Sequence, residues 1–251
     1  MVQSALYLGG IVGVLLSGGF VYWEIGKFAT PQVPRSLFDE RKEMFAYTAG
    51  LFVGVPLAFV LLLFLNSMNG GFVLAGALED AILIGGFEVA QWLLLRSVYF
   101  GTGTAGPFYA LGFRAGIAGI LVLAINAQYL GGPNLAVLGV GVVLAQSAAI
   151  LALGVAGALL SLRAARGSQR LGGGPLSGAI VGAVGYYFLG LGAFLGGGPA
   201  LVAAGVVAVG MWSVYVRLRN PILGRVRPPP EASTGVAEGA EAPAFGRTDR
   251  P

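Results

Sequence analysis

Few residues in this chain could do chemistry inside an apolar environment, and they are concentrated on two neighbouring stretches. One, near 71–95, holds Glu79, Asp80, Glu88 and Gln91; the next, near 108–130, holds Arg114, Asn126 and Gln128. An ionised side chain at mid-bilayer costs about 2.5–3.5 kcal/mol on insertion scales, so each should face other helices and find a partner. At about 100° per residue, Asp80, Gln91 and Glu88 share one helix face, while Arg114 and Gln128 share a face of the following helix. The two helices run in opposite directions. Glu88 and Arg114 then lie at matching depth, about 10 Å from the ends joined by their common loop. This predicts a Glu88–Arg114 contact, either as a charge-neutral clasp between helices or as a gate opened by protonation or displacement.

Glu79 and Asp80 have no basic residue at their level. Two adjacent carboxylates in a low dielectric hold at least one proton between them, so with Gln91 they form a candidate proton or cation site. A second register stays open, in which the helix starts near Ala81 and runs to about Phe100. Glu79 and Asp80 would then be the wet end of an outer loop, and Glu88 would move away from the level of Arg114. Asn126, Gln128 and Gln146 read as helix-packing hydrogen bonds, a role that Gln91 could also fill.

The surrounding composition says what must position these groups. The chain has 251 residues, of which 56% are hydrophobic and only 10% charged, against about 25% charged in a typical soluble domain. Such a chain cannot cover itself with polar surface, and its hydrophobicity is not confined to one anchor. The fold class expected is an all-α integral membrane protein.

A hydrocarbon core of about 30 Å takes about 20 apolar residues per helix. Seven stretches qualify, near 4–23, 44–65, 71–95, 108–130, 134–160, 175–195 and 199–217, separated by Gly, Pro and Asn. Lys27, Arg35, Arg41 and Lys42 lie between the first and second. Arg96 ends the third, Arg163, Arg166 and Arg170 follow the fifth, and Arg217, Arg219, Arg225 and Arg227 follow the seventh. The turns at 66–70, 131–133 and 196–198 carry no Lys or Arg. Alternating spans put every one of these cations on one side, which the positive-inside rule makes cytoplasmic. Seven transmembrane helices with the N-terminus outside and the C-terminus cytoplasmic follow, in a multi-pass protein of the plasma membrane. No basic residue precedes the first span, which argues for a retained helix rather than a cleaved signal peptide.

Domain organisation is then 1–223 as a transmembrane domain and 224–251 as a disordered cytoplasmic tail, since the segment from Pro228 onward has too little apolar area to offset ordering. Ser36 is read as the cap of the second helix, starting near residue 37, with Asp39 at its third position. Tyr22 and Trp23, and Trp212 and Tyr215, read as interfacial belt residues. Sliding 112–143 over 178–209 aligns Gly112, Gly116 and Gly119 with Gly178, Gly182 and Gly185, and Gly131-Gly132-Pro133 with Gly197-Gly198-Pro199. Helices four–five and six–seven would be a repeated parallel hairpin, against the alternative that glycine-rich membrane hairpins look alike. Small residues four apart, as at Gly13/Ser17, Gly50/Gly54, Gly112/Gly116 and Gly178/Gly182, permit close helix crossing.

The chain has no Cys and no His. That excludes disulfides, thiolate nucleophiles, Ser–His dyads, HExxH zinc sites and bis-His haem. Asp39, Asp80 and Asp249 are the aspartates, so an intramembrane aspartyl dyad is excluded as well. The lysines, Lys27 and Lys42, cannot form a retinal Schiff base in the last helix, and no Asp-rich Mg²⁺ motif or Walker A sequence is present. No enzymatic activity, cofactor or metal is expected. Two readings survive: a non-enzymatic membrane component or complex subunit, and a small proton- or cation-coupled transporter using the helix-three carboxylates. Expected partners are the lipid bilayer and a membrane-protein partner or second copy of the chain; no nucleic acid is expected. The Ala/Gly/Val/Arg-rich usage fits a prokaryote with GC-rich coding.

Overall fold

The computed structural model describes residues 2–28, 38–68, 73–96, 105–130, 138–167, 174–195 and 197–223, with side chains described for 10–27, 38–60, 62–63, 82–95, 105–126, 141–162, 177–192, 195, 197–220 and 222. Within them the chain forms seven helices: α1 (Val2–Phe28), α2 (Glu40–Met68), α3 (Val73–Arg96), α4 (Gly106–Leu130), α5 (Leu138–Gly167), α6 (Gly174–Leu195) and α7 (Gly197–Leu223). The stretch 224–251, read above as a tail, and Ser36 lie outside the described residues. Among those described, four stretches are long and apolar enough to cross a membrane: Glu40–Val60, Gly106–Asn126, Gly141–Leu162 and Gly197–Asn220. The all-helical, apolar architecture fits a helical membrane protein.

The centre is the pair α4 and α5. Arg114 meets Gly154, and Asn126 meets Ser147, so the two helices are antiparallel. Around them stand α1, α2, α3, α6 and α7. Directions alternate throughout. The α1 and α4 helices are antiparallel (Gly10 beside Leu123, Gly13 beside Gly119), whereas α2 runs parallel to α4 (Glu43 beside Gly112, Gly54 beside Ile120). Likewise α6 is antiparallel to α5 and α3, and α7 is parallel to α1 through Phe20–Trp212 and Glu24–Tyr215. Lys27, Arg41, Lys42, Arg96, Arg163, Arg166, Arg217 and Arg219 therefore share one end of the bundle, here called the basic end.

The outer helices turn large apolar side chains outward, among them Leu15 on α1, Phe52 on α2, Leu93 on α3, Phe188 on α6 and Val209 on α7. Buried polar groups such as Glu24, Glu43, Arg114 and Asn126 point inward. This distribution suits a lipid solvent and would be unstable in water.

Small residues on α4 set the packing. A Cβ on Gly116 would collide with the Tyr47 carbonyl of α2, and one on Gly50 with the Phe113 carbonyl of α4. On the other flank a Cβ on Gly13 would strike the Gly119 carbonyl, and Ser17 Oγ sits where a Gly119 side chain would be. The backbones touch because there is nothing between them. A short polar chain ties the three helices together. Ser17 donates to the Gly13 carbonyl at 2.7 Å, and its Oγ lies 3.0 Å from the Tyr47 hydroxyl.

Two local expectations are corrected. The α2 helix begins at Glu40, and Asp39 is its cap rather than its third residue: Arg41 N donates to Asp39 Oδ1 at 2.9 Å. Phe38, buried against Phe108 and Tyr109, holds this entry on α4. Tyr215 is not a belt residue. It is fully buried, because α7 continues to Leu223 and places it within the bundle, whereas Tyr22 is 80% exposed and Trp23 and Trp212 are half exposed.

Gly116→Ala should destabilise the bundle by about 1–3 kcal/mol, since backbone rather than a flexible side chain blocks the new methyl. Gly210→Ala on α7, where nothing lies within 4 Å, should be neutral or stabilising. Thermal unfolding of the two variants in the same detergent checks the opposite signs.

Candidate functional site

The α3 helix starts at Val73, so Glu79 and Asp80 fall inside it rather than in a preceding loop. Their side chains lie outside the described residues, as does that of Gln128. Glu88 and Arg114 lie the same number of residues from the α3 and α4 ends that share a loop, and the structure brings them together. Arg114 Nη2 donates to Glu88 Oε1 as an ion pair, and Arg114 Nε donates to Gln91 Oε1 at 2.6 Å. Glu88 and Gln91 are three apart on α3, one helical step, so both accept from a single guanidinium. The third helix is α5, where Ser161 Oγ lies 2.8 Å from Glu88 Oε2 and 3.0 Å from the Gly157 carbonyl, sharing its proton between them. Arg114 is 4% exposed, with the Phe87 ring 5.2 Å from its guanidinium carbon.

Glycine makes the approach possible here too. A Cβ on Gly178 of α6 would overlap Ser161 Oγ and come within 3.2 Å of Glu88 Oε1. Gly154 of α5 lets the Arg114 carbonyl come within 3.3 Å of the position of a Cβ. The cluster thus joins α3, α4 and α5, and α6 closes over it. Gln91, grouped with Glu79 and Asp80 from sequence, belongs to this cluster through its bond to Arg114.

Two buried carboxylates nearer the basic end were missed from sequence. Glu24 of α1 accepts a hydrogen bond from the Tyr215 hydroxyl of α7, and Arg219 Nη1 is 3.9 Å from the same oxygen, Oε1. Phe20, Trp23, Trp212 and Tyr215 surround this contact, and Arg219 lies over the Trp23 ring at 5.3 Å. Glu43 of α2 is 3% exposed and lies against Gly112 of α4. Both acids sat just beyond the expected spans, 4–23 and 44–65. The signal was the helical spacing: Glu43, Tyr47, Gly50 and Gly54 form one α2 stripe, and Gly13, Ser17 and Glu24 fall on one α1 face.

In the other half of the bundle the polar groups are uncharged. Asn126 Nδ2 donates to Ser147 Oγ at 3.1 Å, and Ser147 donates to the Val143 carbonyl at 2.6 Å. Asn126 Oδ1 and Gln146 Oε1 are buried without a partner among the described residues. No group of three or more carboxylates placed to hold a metal occurs among the described residues.

No family model, no curated protein and no solved structure matches this chain.

Removing one member of a buried pair leaves the other uncompensated, at a cost of about 3–5 kcal/mol. Arg114→Met should lower stability by that amount, and Arg114→Lys should recover only part of it, because one ammonium cannot reproduce the guanidinium fork. Replacing Glu88 by Leu in the Arg114→Met background should restore most of the loss. A double-mutant cycle on thermal unfolding measures this; additive losses would show that the pair is uncoupled.

Proposed function

We propose that this chain is a non-enzymatic multi-span component of the plasma membrane, acting as a scaffold or as a subunit of a membrane complex. The observation that carries the reading is the use made of Arg114. Its guanidinium is taken up by Glu88 and Gln91, and Ser161 binds the same carboxylate, so the most polar cluster among the described side chains joins three helices. Dense glycine-mediated contact around α4 supports it. The competing reading is a small proton- or cation-coupled transporter using the α3 carboxylates Glu79 and Asp80.

The same proposal takes all seven helices as spans, with the N-terminus outside. Alternating helix directions and the collection of cations at one end support this. Duplication of a hairpin, α4–α5 and α6–α7, is part of it. Gly112 and Gly178 are aligned positions, and each lies against a carboxylate from a neighbouring helix, Glu43 and Glu88 respectively.

The absence of Cys makes the topology directly testable, because single cysteines need no background removal. Pro34→Cys, Gly103→Cys and Gly172→Cys should react with an impermeant maleimide only from the cytoplasmic side. Asn69→Cys, Gly132→Cys and Gly196→Cys should react only from outside. Gly132→Cys and Gly172→Cys reacting from one side would remove α5 as a span.

Reconstitution into liposomes separates the two functional readings. Proton flux of the parent should equal that of protein-free liposomes under every gradient. Flux present in the parent and lost in Glu79→Gln or Asp80→Asn would replace the scaffold reading with transport.

A further inference from the structure

Glu43 is the least compensated acid in the described interior. It is 3% exposed, and its Oε2 has no hydrogen-bond partner among the described residues. The other oxygen rests against α4, where only the missing side chain of Gly112 leaves room for it and where the Gly112 backbone amide is its donor. Glu24 of α1 is the other buried carboxylate near this end of the bundle. Glu24 is also 3% exposed and has its own unpartnered Oε2, but it differs in one respect. Tyr215 donates to it and Arg219 stands 3.9 Å away, so Glu24 has a cation and Glu43 has none in that role.

The other titratable or charged groups around this level are Lys27 on α1, Asp39 at the α2 cap, and Glu40, Arg41, Lys42 and Tyr47 on α2. Tyr109 on α4 and Tyr215, Arg217 and Arg219 on α7 are further such groups among the described residues, and Arg114, two residues from Gly112 on α4, is turned to Glu88 and Gln91. Tyr47 is engaged with Ser17 and the Val14 carbonyl, and Tyr109 with the Asp39 amide. A buried carboxylate without a counter-charge either takes up a cation or is expelled.

We propose that Glu43 is a proton-binding site at the basic end of the bundle, holding one proton at neutral pH. The ligand is the proton itself, bound from the aqueous phase at that end. This site is separate from the α3 carboxylates and independent of the scaffold reading. Its consequence is mechanical. Loss of the proton leaves an uncompensated negative charge on α2 against α4, about one helical turn from the Tyr47–Gly116 contact where the two backbones touch.

The test is infrared spectroscopy of the full-length chain in detergent, following the carbonyl stretch of a protonated carboxyl group, identified by its shift in D2O. The parent at pH 7 should show this band. E43Q should remove one carboxyl's share of it in the parent-minus-variant difference spectrum, E43D should keep that share at a displaced frequency, and E40Q, at an exposed position, should leave it unchanged. E24Q should also retain it, because Glu43 still lacks a counter-charge. No band in the parent at pH 7 would overturn the proposal, as would a band that E43Q leaves at its full intensity. A band abolished when sodium replaces potassium would also overturn it, in favour of a metal cation held by the same oxygens. E43D and the parent's own spectrum keep the test decisive if E43Q fails to fold.

Discussion

A guanidinium inside an apolar bundle constrains everything around it. Arg114 cannot shed its charge under any condition the protein meets, so its acceptors must be brought to it. They come from α3, and α5 supports the carboxylate through Ser161. For both helices to reach it, α4 has to be central and narrow at once. Its run of Gly112, Ala115, Gly116, Ala118 and Gly119 meets that requirement. The position of α4 in the bundle, the glycines along it and the contacts of α3 and α5 are thus one solution to one electrostatic problem.

The carboxylates whose side chains are described answer to the same constraint. Glu24, Glu43 and Glu88 all lie in the half of the bundle that ends in Lys27, Arg41, Lys42, Arg217 and Arg219, while the described groups buried in the other half are amides and hydroxyls. Interior acids beneath a cationic rim feel a favourable potential. Local partners then distinguish them. Glu88 receives a full ion pair, Glu24 receives a phenol and a more distant arginine, and Glu43 receives a backbone amide.

What could be read in the sequence depended on which physical quantity carried it. The seven helices follow from hydrophobic length punctuated by Gly and Pro, which needs no tertiary knowledge. The meeting of Glu88 and Arg114 follows from depth alone, because helical rise fixes how far each lies from a shared loop. Glu24 and Glu43 were lost because a window of apolar residues is cut at the first charge, whereas the helices run on to Phe28 and start at Glu40. Tyr215 was misplaced for the same reason at the end of α7. The central position of α4 and α5 was not legible, since apolar residues lie on several sides of every helix and a position facing lipid reads like one facing another helix. Only the density of small residues on α4 hinted at it.

Glycine in this protein is best understood by what occupies the space it leaves. At Gly116 and Gly119 that space is filled by the backbone or hydroxyl of a neighbouring helix, and the gain is close packing. At Gly112 and Gly178 it is filled by the carboxylate of Glu43 or by Ser161 with Glu88 beside it. Adding a methyl at the first kind of position separates two helices. Adding one at the second displaces a buried acid from its donor as well, which in an apolar interior costs more than lost contact. The same residue type, at the same four-residue spacing, therefore serves packing at some positions and electrostatics at others. The distinction lies in the partner helix, which is why the spacing alone could not reveal it.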